Sequence, residues 1–339
     1  MKILVTGGLG FIGSHTVVEL QSKGFDVVVV DNLSNSSPEV LKGIENITGK
    51  QPFFENIDLR DKSAVQNLFK KYSDINSVIH FAASKAVGES VENPLLYYEN
   101  NISTLVYLLQ ELQAKKEAHF IFSSSCTVYG QAETMPITED APVQLAMSPY
   151  GNTKQIGEEI ISDVVKVTGI HSILLRYFNP IGAHPSAEIG ELPIGVPQNL
   201  VPFITQTAMG LRKELSVFGN DYPTPDGTAI RDYIHVVDLA KAHVVAVQRL
   251  IGKNNLSKVE TFNVGTGKGS SVLEMITAFE KVSGQKLPYR IVDRRGGDVM
   301  EAYANTAKAN SVLGWNAESS LEEALASAWK WEQKIRNKA

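Results

Sequence analysis

The stretch Val5-Thr6-Gly7-Gly8-Leu9-Gly10-Phe11-Ile12-Gly13 closes a short apolar strand and opens a helix. Two glycine spacings overlap in it, Gly7-x-x-Gly10-x-x-Gly13 and Gly8-x-Gly10-x-x-Gly13. Glycines permit the positive φ of a tight turn and let backbone N–H groups approach a pyrophosphate. The helix that follows offers aligned donors and the positive end of its dipole. A glycine triplet alone is also an ordinary tight turn, so its setting between strand and helix is what points to a dinucleotide. The next strand ends Val30-Asp31-Asn32, which puts Asp31 eighteen residues after Gly13. An acid at about that distance suits the adenosine ribose hydroxyls and repels a 2′-phosphate, favouring NAD over NADP. Asp58, near the end of a third strand, is a candidate for the adenine amino group. Asp61 and Ser63 mark a helix start close by, where an acid also serves as a cap.

Outward from this turn, residues 2–6, 27–30, 53–59, 77–83, 119–124 and 172–176 read as short, apolar, β-branched strands. Helical periodicity fills 12–22, 62–72, 95–113 and 152–167 between them. Strands alternating with helices predict an α/β fold, a doubly wound parallel sheet of Rossmann type covered on both faces. After Asn179 the rhythm breaks. Pro180, Pro185, Pro193 and Pro197, with Gly182, Gly190 and Gly195, mark a long irregular segment of the kind that often carries function. Smaller mixed elements follow and end in a helix over 321–335. The expected layout is a dinucleotide-binding domain over 1–179 and a smaller mixed α/β substrate domain over 180–339. Segments at about 230–263 are expected to return to the first domain.

The 339 residues are 43% hydrophobic and 20% charged, with a formal net charge of -5. That composition supports a sizeable core and excludes disorder as the dominant state. The negative balance argues against a nucleic-acid partner. No apolar run approaches the ~20 residues that cross a bilayer, and Gly7 and Gly8 interrupt the short apolar run a signal peptide would need. A single cysteine, Cys126, excludes an internal disulfide, so a soluble protein of the reducing cytoplasm is expected. The seven histidines show no His-x-x-x-His spacing, and no metal is expected.

Chemistry enters at His119-Phe120-Ile121-Phe122-Ser123-Ser124-Ser125-Cys126-Thr127-Val128-Tyr129-Gly130. A strand tipped with serines brings hydroxyls to the carboxyl edge of the sheet, where doubly wound folds bind ligands. Beyond it comes Tyr150-Gly151-Asn152-Thr153-Lys154, with Tyr150 and Lys154 four apart and so on one helix face. A free tyrosine, with a pKa near 10, is a poor base at neutral pH. A neighbouring ammonium, together with a positive nicotinamide ring, would favour the phenolate. Such a pair can remove a hydroxyl proton while hydride leaves the same carbon. On its own the spacing fits an ordinary surface pair; the glycine turn, the acid and the serines give it meaning.

With Phe81-Ala82-Ala83-Ser84-Lys85-Ala86-Val87-Gly88-Glu89-Ser90, Arg176-Tyr177-Phe178-Asn179-Pro180 and Arg231-Asp232-Tyr233-Ile234-His235-Val236 added, the chain resembles the extended short-chain dehydrogenase/reductases. Within them it is similar to the UDP-glucose 4-epimerase family over essentially its whole length. The glycine turn and the Tyr/Lys pair carry only the superfamily, whereas the Lys85 segment and the Tyr-Phe-Asn-Pro run are closer to the epimerase branch. The resemblance implies reversible C4 epimerisation of UDP-glucose and UDP-galactose through a 4-keto sugar, with NAD tightly held. It makes Tyr150 the base, puts Ser125 on the reacting hydroxyl and has Lys154 hold the nicotinamide ribose. Gly7, Gly10, Phe11, Ile12, Gly13, Asp31, Asn32, Asp58, Phe81, Ala82, Lys85, Asn100, Tyr177 and Phe178 would line the cofactor. On the substrate side it implies Asn179, Asn199 and Leu200 from the irregular segment, and Phe218 near the uracil. Arg231 and Arg295 would meet the pyrophosphate, whose oxygens guanidinium groups suit, and Asp298 the uridine ribose.

One departure concerns the sugar. Some bacterial members place a tyrosine four residues after the aspartate matching Asp298, where this chain has Ala302 followed by Tyr303. The smaller side chain implies room for a 2-acetamido group, and so UDP-GlcNAc and UDP-GalNAc as further substrates. The resemblance also implies a homodimer through the helices at 95–113 and 152–167. Related 4,6-dehydratases and UDP-glucuronate decarboxylases need an acid between the strand serine and the Val-Tyr-Gly run; Cys126 and Thr127 stand there instead. A UDP-glucuronate 4-epimerase and a non-enzymatic NAD-sensing regulator remain as other readings, the second disfavoured by the retained Tyr150 and Lys154.

Overall fold

Strand β1 (Lys2–Thr6) sends Ile3 and Val5 into one apolar core and Leu4 into another. Val27 and Val29 of β2 (Asp26–Asp31) join the first, and Val28 and Val30 the second. Such uninterrupted apolar strands pack on both faces, as parallel strands between helix layers must. In the computed structural model, which describes residues 2–295 and 299–337, seven parallel strands form one sheet. To β1 and β2 are added β3 (Phe53–Asn56), β4 (Ile75–His80), β5 (Ala118–Ser125) and β6 (Ile170–Tyr177). The strand order β3-β2-β1-β4-β5-β6 reverses direction between β1 and β4, the point at which doubly wound folds bind their ligands. A seventh strand, formed by Val259–Val264, pairs with β6.

Helices α1 (Phe11–Ser22), α2 (Glu39–Thr48), α3 (Lys62–Lys71), α4 (Val87–Glu92), α5 (Pro94–Tyr98), α6 (Thr104–Gln113) and α7 (Pro149–Val167) make the crossovers. Asp61 caps α3, accepting the N–H groups of Ser63 and Ala64. The periodicity over 95–113 predicts one helix, whereas the structure inserts a π turn, Glu99–Ser103, between α5 and α6. There Asn101 turns inward, its carboxamide bridging the Ser84 backbone and Thr153 of α7. A side-chain bond to a neighbouring loop is what sequence periodicity does not record. The strand expected over 77–83 stops at His80 because Phe81 and Ala82 leave the sheet to pass beneath Gly7. Likewise the strand over 53–59 stops at Asn56, ahead of the turn at Asp58.

Past β6 come β7 (Asn179–Ile181), α8 (Leu200–Ala208), β8 (Leu215–Phe218), β9 (Ile230–Arg231), β10 (Tyr233–His235), α9 (Val236–Ile251) and β11 (Val259–Val264). After them lie β12 (Ser270–Ser271), α10 (Val272–Ser283), β13 (Tyr289–Val292), β14 (Glu301–Ala302) and α11 (Leu321–Asn337). A third core, with Ile204, Val217, Phe279 and Leu325, lies under α8, α10 and α11. Helix α9 instead lies on the first core, where Leu239, Val247 and Leu250 join Val17 and Ile121. A small cluster of Val128, Tyr129, Ile137, Phe178, Ala302 and Ala304 forms the seam between the halves. Among the described residues no helix is long and apolar enough to cross a membrane.

Candidate active site

The glycine turn sits at the reversal point of the sheet. Gly7 adopts φ +63°, and a Cβ there would stand 2.9 Å from the Ala82 nitrogen. A Cβ at Gly13 would meet the Gly7 carbonyl at 2.2 Å, so both positions need glycine. Gly10 caps α1 without a side chain, and no acid occupies the first turn. The N–H groups that open α1 at Phe11 and Ile12 therefore face outward without a competing carboxylate, as a pyrophosphate requires. Asp31 accepts Leu9 N–H at 3.1 Å on Oδ2, and Leu33 N–H at 3.0 Å with Ser36 Oγ at 2.7 Å on Oδ1. Oδ2 keeps acceptor capacity for a hydroxyl. Asn32 donates to Asp58 at 3.3 Å, and Arg60 clamps the same carboxylate and holds its pKa at about 2. An adenine amino group would thus share Asp58 with Arg60.

On the far side of that reversal, β5 delivers Ser123, Ser124 and Ser125, all buried, to the carboxyl edge of the sheet. Helix α7 begins at Pro149, three residues ahead of the expected 152, because Ser148 caps it by accepting Gly151 N–H at 3.2 Å. That start sets Tyr150 in the first turn, buried, near enough to Ser125 for that hydroxyl to act on its phenol. One turn on, Lys154 donates to the Ser123 carbonyl at 2.7 Å and lies 5.9 Å from the Tyr150 ring centroid. Burial lowers the Lys154 pKa to about 8, opposed by Glu158. Burial, reinforced by Tyr177, pushes the Tyr150 phenol well above its ordinary 10, with the Ser125 hydroxyl pulling the other way. The protein alone thus holds Tyr150 neutral, and ionising it calls for more positive charge at its face than Lys154 provides. Tyr177 accepts from Ser123 Oγ at 3.0 Å, and its own pKa rises to about 12 through burial. Asn100 donates to Ser84 at 3.0 Å, on the loop that also carries Phe81, Ala82 and Lys85.

Apart from Ser125 on β5, the expected substrate residues lie from Asn179 onward. Pairing of β9 with β14 sets Arg231 beside Ala302. The Arg231 guanidinium donates to the carbonyls of Ile230 at 2.8 Å and Val299 at 2.7 Å. The Arg295 guanidinium lies 4.6 Å from the Phe218 ring centroid, joining two of the expected residues. Its neighbour Arg294 is spent on Asp221 at 2.7 Å. Asn179 opens β7, while Asn199 stands just ahead of Leu200 at the start of α8, its side chain making no capping bond. Phe178 is buried in the seam. Asp298 lies outside the described residues. Among those described, no group of three or more His, Cys, Asp or Glu side chains is placed to hold a metal.

Three residues that the sequence does not single out lie among these. Glu191 accepts from Asn199 at 2.5 Å and stands 3.7 Å from Lys85; its position among prolines carries no warning of this. Asn101 has a signal only in its pairing with Asn100. Glu158 continues the Tyr150, Lys154 spacing by one more turn.

An uncapped helix start behind a glycine turn, an acid on β2, and a serine, tyrosine and lysine at the edge of β5 define a dinucleotide-dependent enzyme of the extended short-chain dehydrogenase/reductase class. The family model described as GDP-mannose 4,6 dehydratase matches residues 4–328. The UDP-glucose 4-epimerase of Bacillus subtilis is 53% identical over 98% of this chain and 97% of its own. That of Mus musculus is 48% identical over 98% and 96%. Among solved structures, the UDP-glucose 4-epimerase of Stenotrophomonas maltophila with NAD and formylated UDP-arabinopyranose superposes with a TM-score of 0.96 at 47% identity, covering 100% of both chains. The Bifidobacterium longum enzyme, in complex with NAD and UDP, gives 0.94 at 46% over 99% of each. The chain belongs to the UDP-glucose 4-epimerase family.

Proposed function

We propose that this enzyme interconverts UDP-glucose and UDP-galactose through a 4-keto sugar and keeps NAD bound throughout. The observation that carries the reading is the placement of Tyr150 in the first turn of α7, with Lys154 one turn on and bonded to the Ser123 carbonyl, two residues before Ser125 on β5. Bound NAD would take the hydride from C4 and return it to the opposite face of the ketone. Tyr150 Oη accepts the 4-hydroxyl proton and gives it back, while Ser125 Oγ holds the same oxygen. Lys154, anchored on the Ser123 carbonyl, turns its remaining N–H donors to the ribose and its charge to the phenolate. Gly7, Gly10 and Gly13 with Phe11 and Ile12 cradle the pyrophosphate of NAD. Asp31 and Asn32 take the adenosine ribose, and Asp58 the adenine. Phe81, Ala82, Lys85, Asn100, Tyr177 and Phe178 close the nicotinamide side.

For UDP, Arg231 and Arg295 meet the phosphates, Asn179, Asn199 and Leu200 line the sugar and phosphate path, and Phe218 with Asp298 receives the uridine. Ala302 leaves space for a 2-acetamido group, so UDP-GlcNAc and UDP-GalNAc are substrates too. A dehydratase reading is disfavoured because Cys126 and Thr127 supply no carboxylate, and burial pushes the Cys126 thiol up to about 11. We further propose a homodimer of the cytoplasm, its interface built from α5, α6 and α7. The test of function is purified protein with UDP-galactose and no added NAD, which should yield UDP-glucose. Tyr150→Phe should lower kcat by at least about 100-fold, the scale of general acid–base catalysis, and still carry NAD. Full activity in that variant would remove Tyr150 from the role of base.

A further inference from the structure

Behind the reacting groups lies a buried ion pair that the chemistry above does not use. Glu158 stands on α7 one turn beyond Lys154 and two beyond Tyr150. Its carboxylate accepts Ser124 Oγ at 2.5 Å, Arg176 Nε at 3.0 Å and Arg176 Nη2 at 2.6 Å. The Glu158 and Arg176 side chains are only 10% and 9% exposed. Arg176 also donates to the Tyr129 hydroxyl at 3.0 Å, and Tyr129 donates to Asn263 of β11 at 2.6 Å. Burying two charges costs desolvation that apolar packing would avoid, so such a pair is weak evidence of stability in itself. Its placement is more telling. The network joins α7 to β5, β6, β11 and the short turn Cys126–Tyr129, the elements that carry Ser125, Tyr150, Lys154 and Tyr177.

We propose that Glu158 is a positioning residue of the reaction, fixing α7 on β5 and β6 where Tyr150 meets Ser125 and setting a negative charge behind the Lys154 ammonium. The charged and titratable groups facing Lys154 are Tyr150 and Glu158 on its own helix and His80 from β4, with Arg176 of β6 behind Glu158. Of these, Glu158 is the one that favours a protonated lysine, against the burial that lowers Lys154 to about 8. Removing its charge moves the lysine's titration, and with it the alkaline limit of activity, to lower pH.

The inference rests on the proposed epimerase reaction, and the experiment separates the two. Wild-type holoenzyme and Glu158→Gln are assayed side by side on UDP-galactose across pH 6–10, with thermal midpoints and an NMR titration of the Lys154 side chain. Glu158→Gln should lose at least about tenfold in kcat with KM within about twofold, and both its alkaline limb and its lysine midpoint should move down in pH. A lowered thermal midpoint with kcat and both pH readouts unchanged would reduce Glu158 to a structural pair and overturn the proposal. An inactive wild type overturns the reaction itself, and the positioning role falls with it. If Glu158→Gln does not fold, Ser124→Ala, which removes one bond to the carboxylate and no charge, should still lower kcat severalfold at constant KM. An unchanged kcat there also overturns the proposal.

Discussion

The side chain at position 302 is a single methyl, 7% exposed, in the seam with Val128 and Phe178. Its neighbour Tyr303 does not fill that space, because its ring lies against Gly269, where a Cβ would stand 3.2 Å from Tyr303 Cδ1. On the proposed reading that Ala302 borders the 2-substituent of the sugar, a phenol at 302 would enter that substituent's space. Steric intrusion of that kind costs roughly 1–3 kcal/mol, and each ~1.4 kcal/mol is tenfold. Wild type should therefore convert UDP-GlcNAc to UDP-GalNAc. Ala302→Tyr should lose at least about tenfold in kcat/KM on the acetamido sugars while changing less than about threefold on UDP-galactose. Equal losses on both, or no wild-type conversion at high enzyme concentration, would sink the idea.

At the scale of elements, the parts legible in the sequence are those set by local chemistry. The glycine turn, the Asp61 cap and the Tyr150/Lys154 spacing are written in consecutive residues, and β1, β2 and α1 follow from them. What stayed hidden depends on partners distant in sequence. The π turn at Glu99–Ser103 exists alongside bonds from Asn101 to Ser84 and Thr153, and the Glu158 pair needs Arg176 eighteen residues away. The same helices make a testable surface. Leu95 and Leu96 of α5, one of the helices proposed for the interface, are adjacent apolar side chains 80% and 38% exposed. Sedimentation at micromolar concentration should give about twice the 37.1 kDa chain mass. Leu95→Glu should shift the mass toward one chain. A wild type that sediments as a single chain would remove the dimer.

For the molecule as a whole, acid should be the weak direction, because three imidazoles are enclosed where the helix layers meet the sheet. His15 of α1 donates from Nδ1 to the Phe11 carbonyl, His80 of β4 pairs with Thr6, and His243 of α9 packs 4.6 Å from the Phe81 ring. Burial lowers their pKa values to about 3, about 3 and about 4. In the unfolded chain each returns to about 6.5. As pH falls below about 6.5 the unfolded state takes up protons first, so stability present at neutral pH is lost progressively down to the folded values. The loss approaches about 1.4 kcal/mol per pH unit for each ring, and carboxylates held low, such as Asp58, add to it at lower pH. The urea midpoint should therefore be flat from pH 8 to 7 and fall steeply from 6 to 4.5. His243→Phe fills the same place between the Phe81 and Tyr177 rings and cannot take up a proton. It should make that fall shallower by the share of one ring, up to about 1.4 kcal/mol per pH unit, whatever it does to stability at pH 7.5. An unchanged slope would mean that the enclosed rings are not what acid attacks.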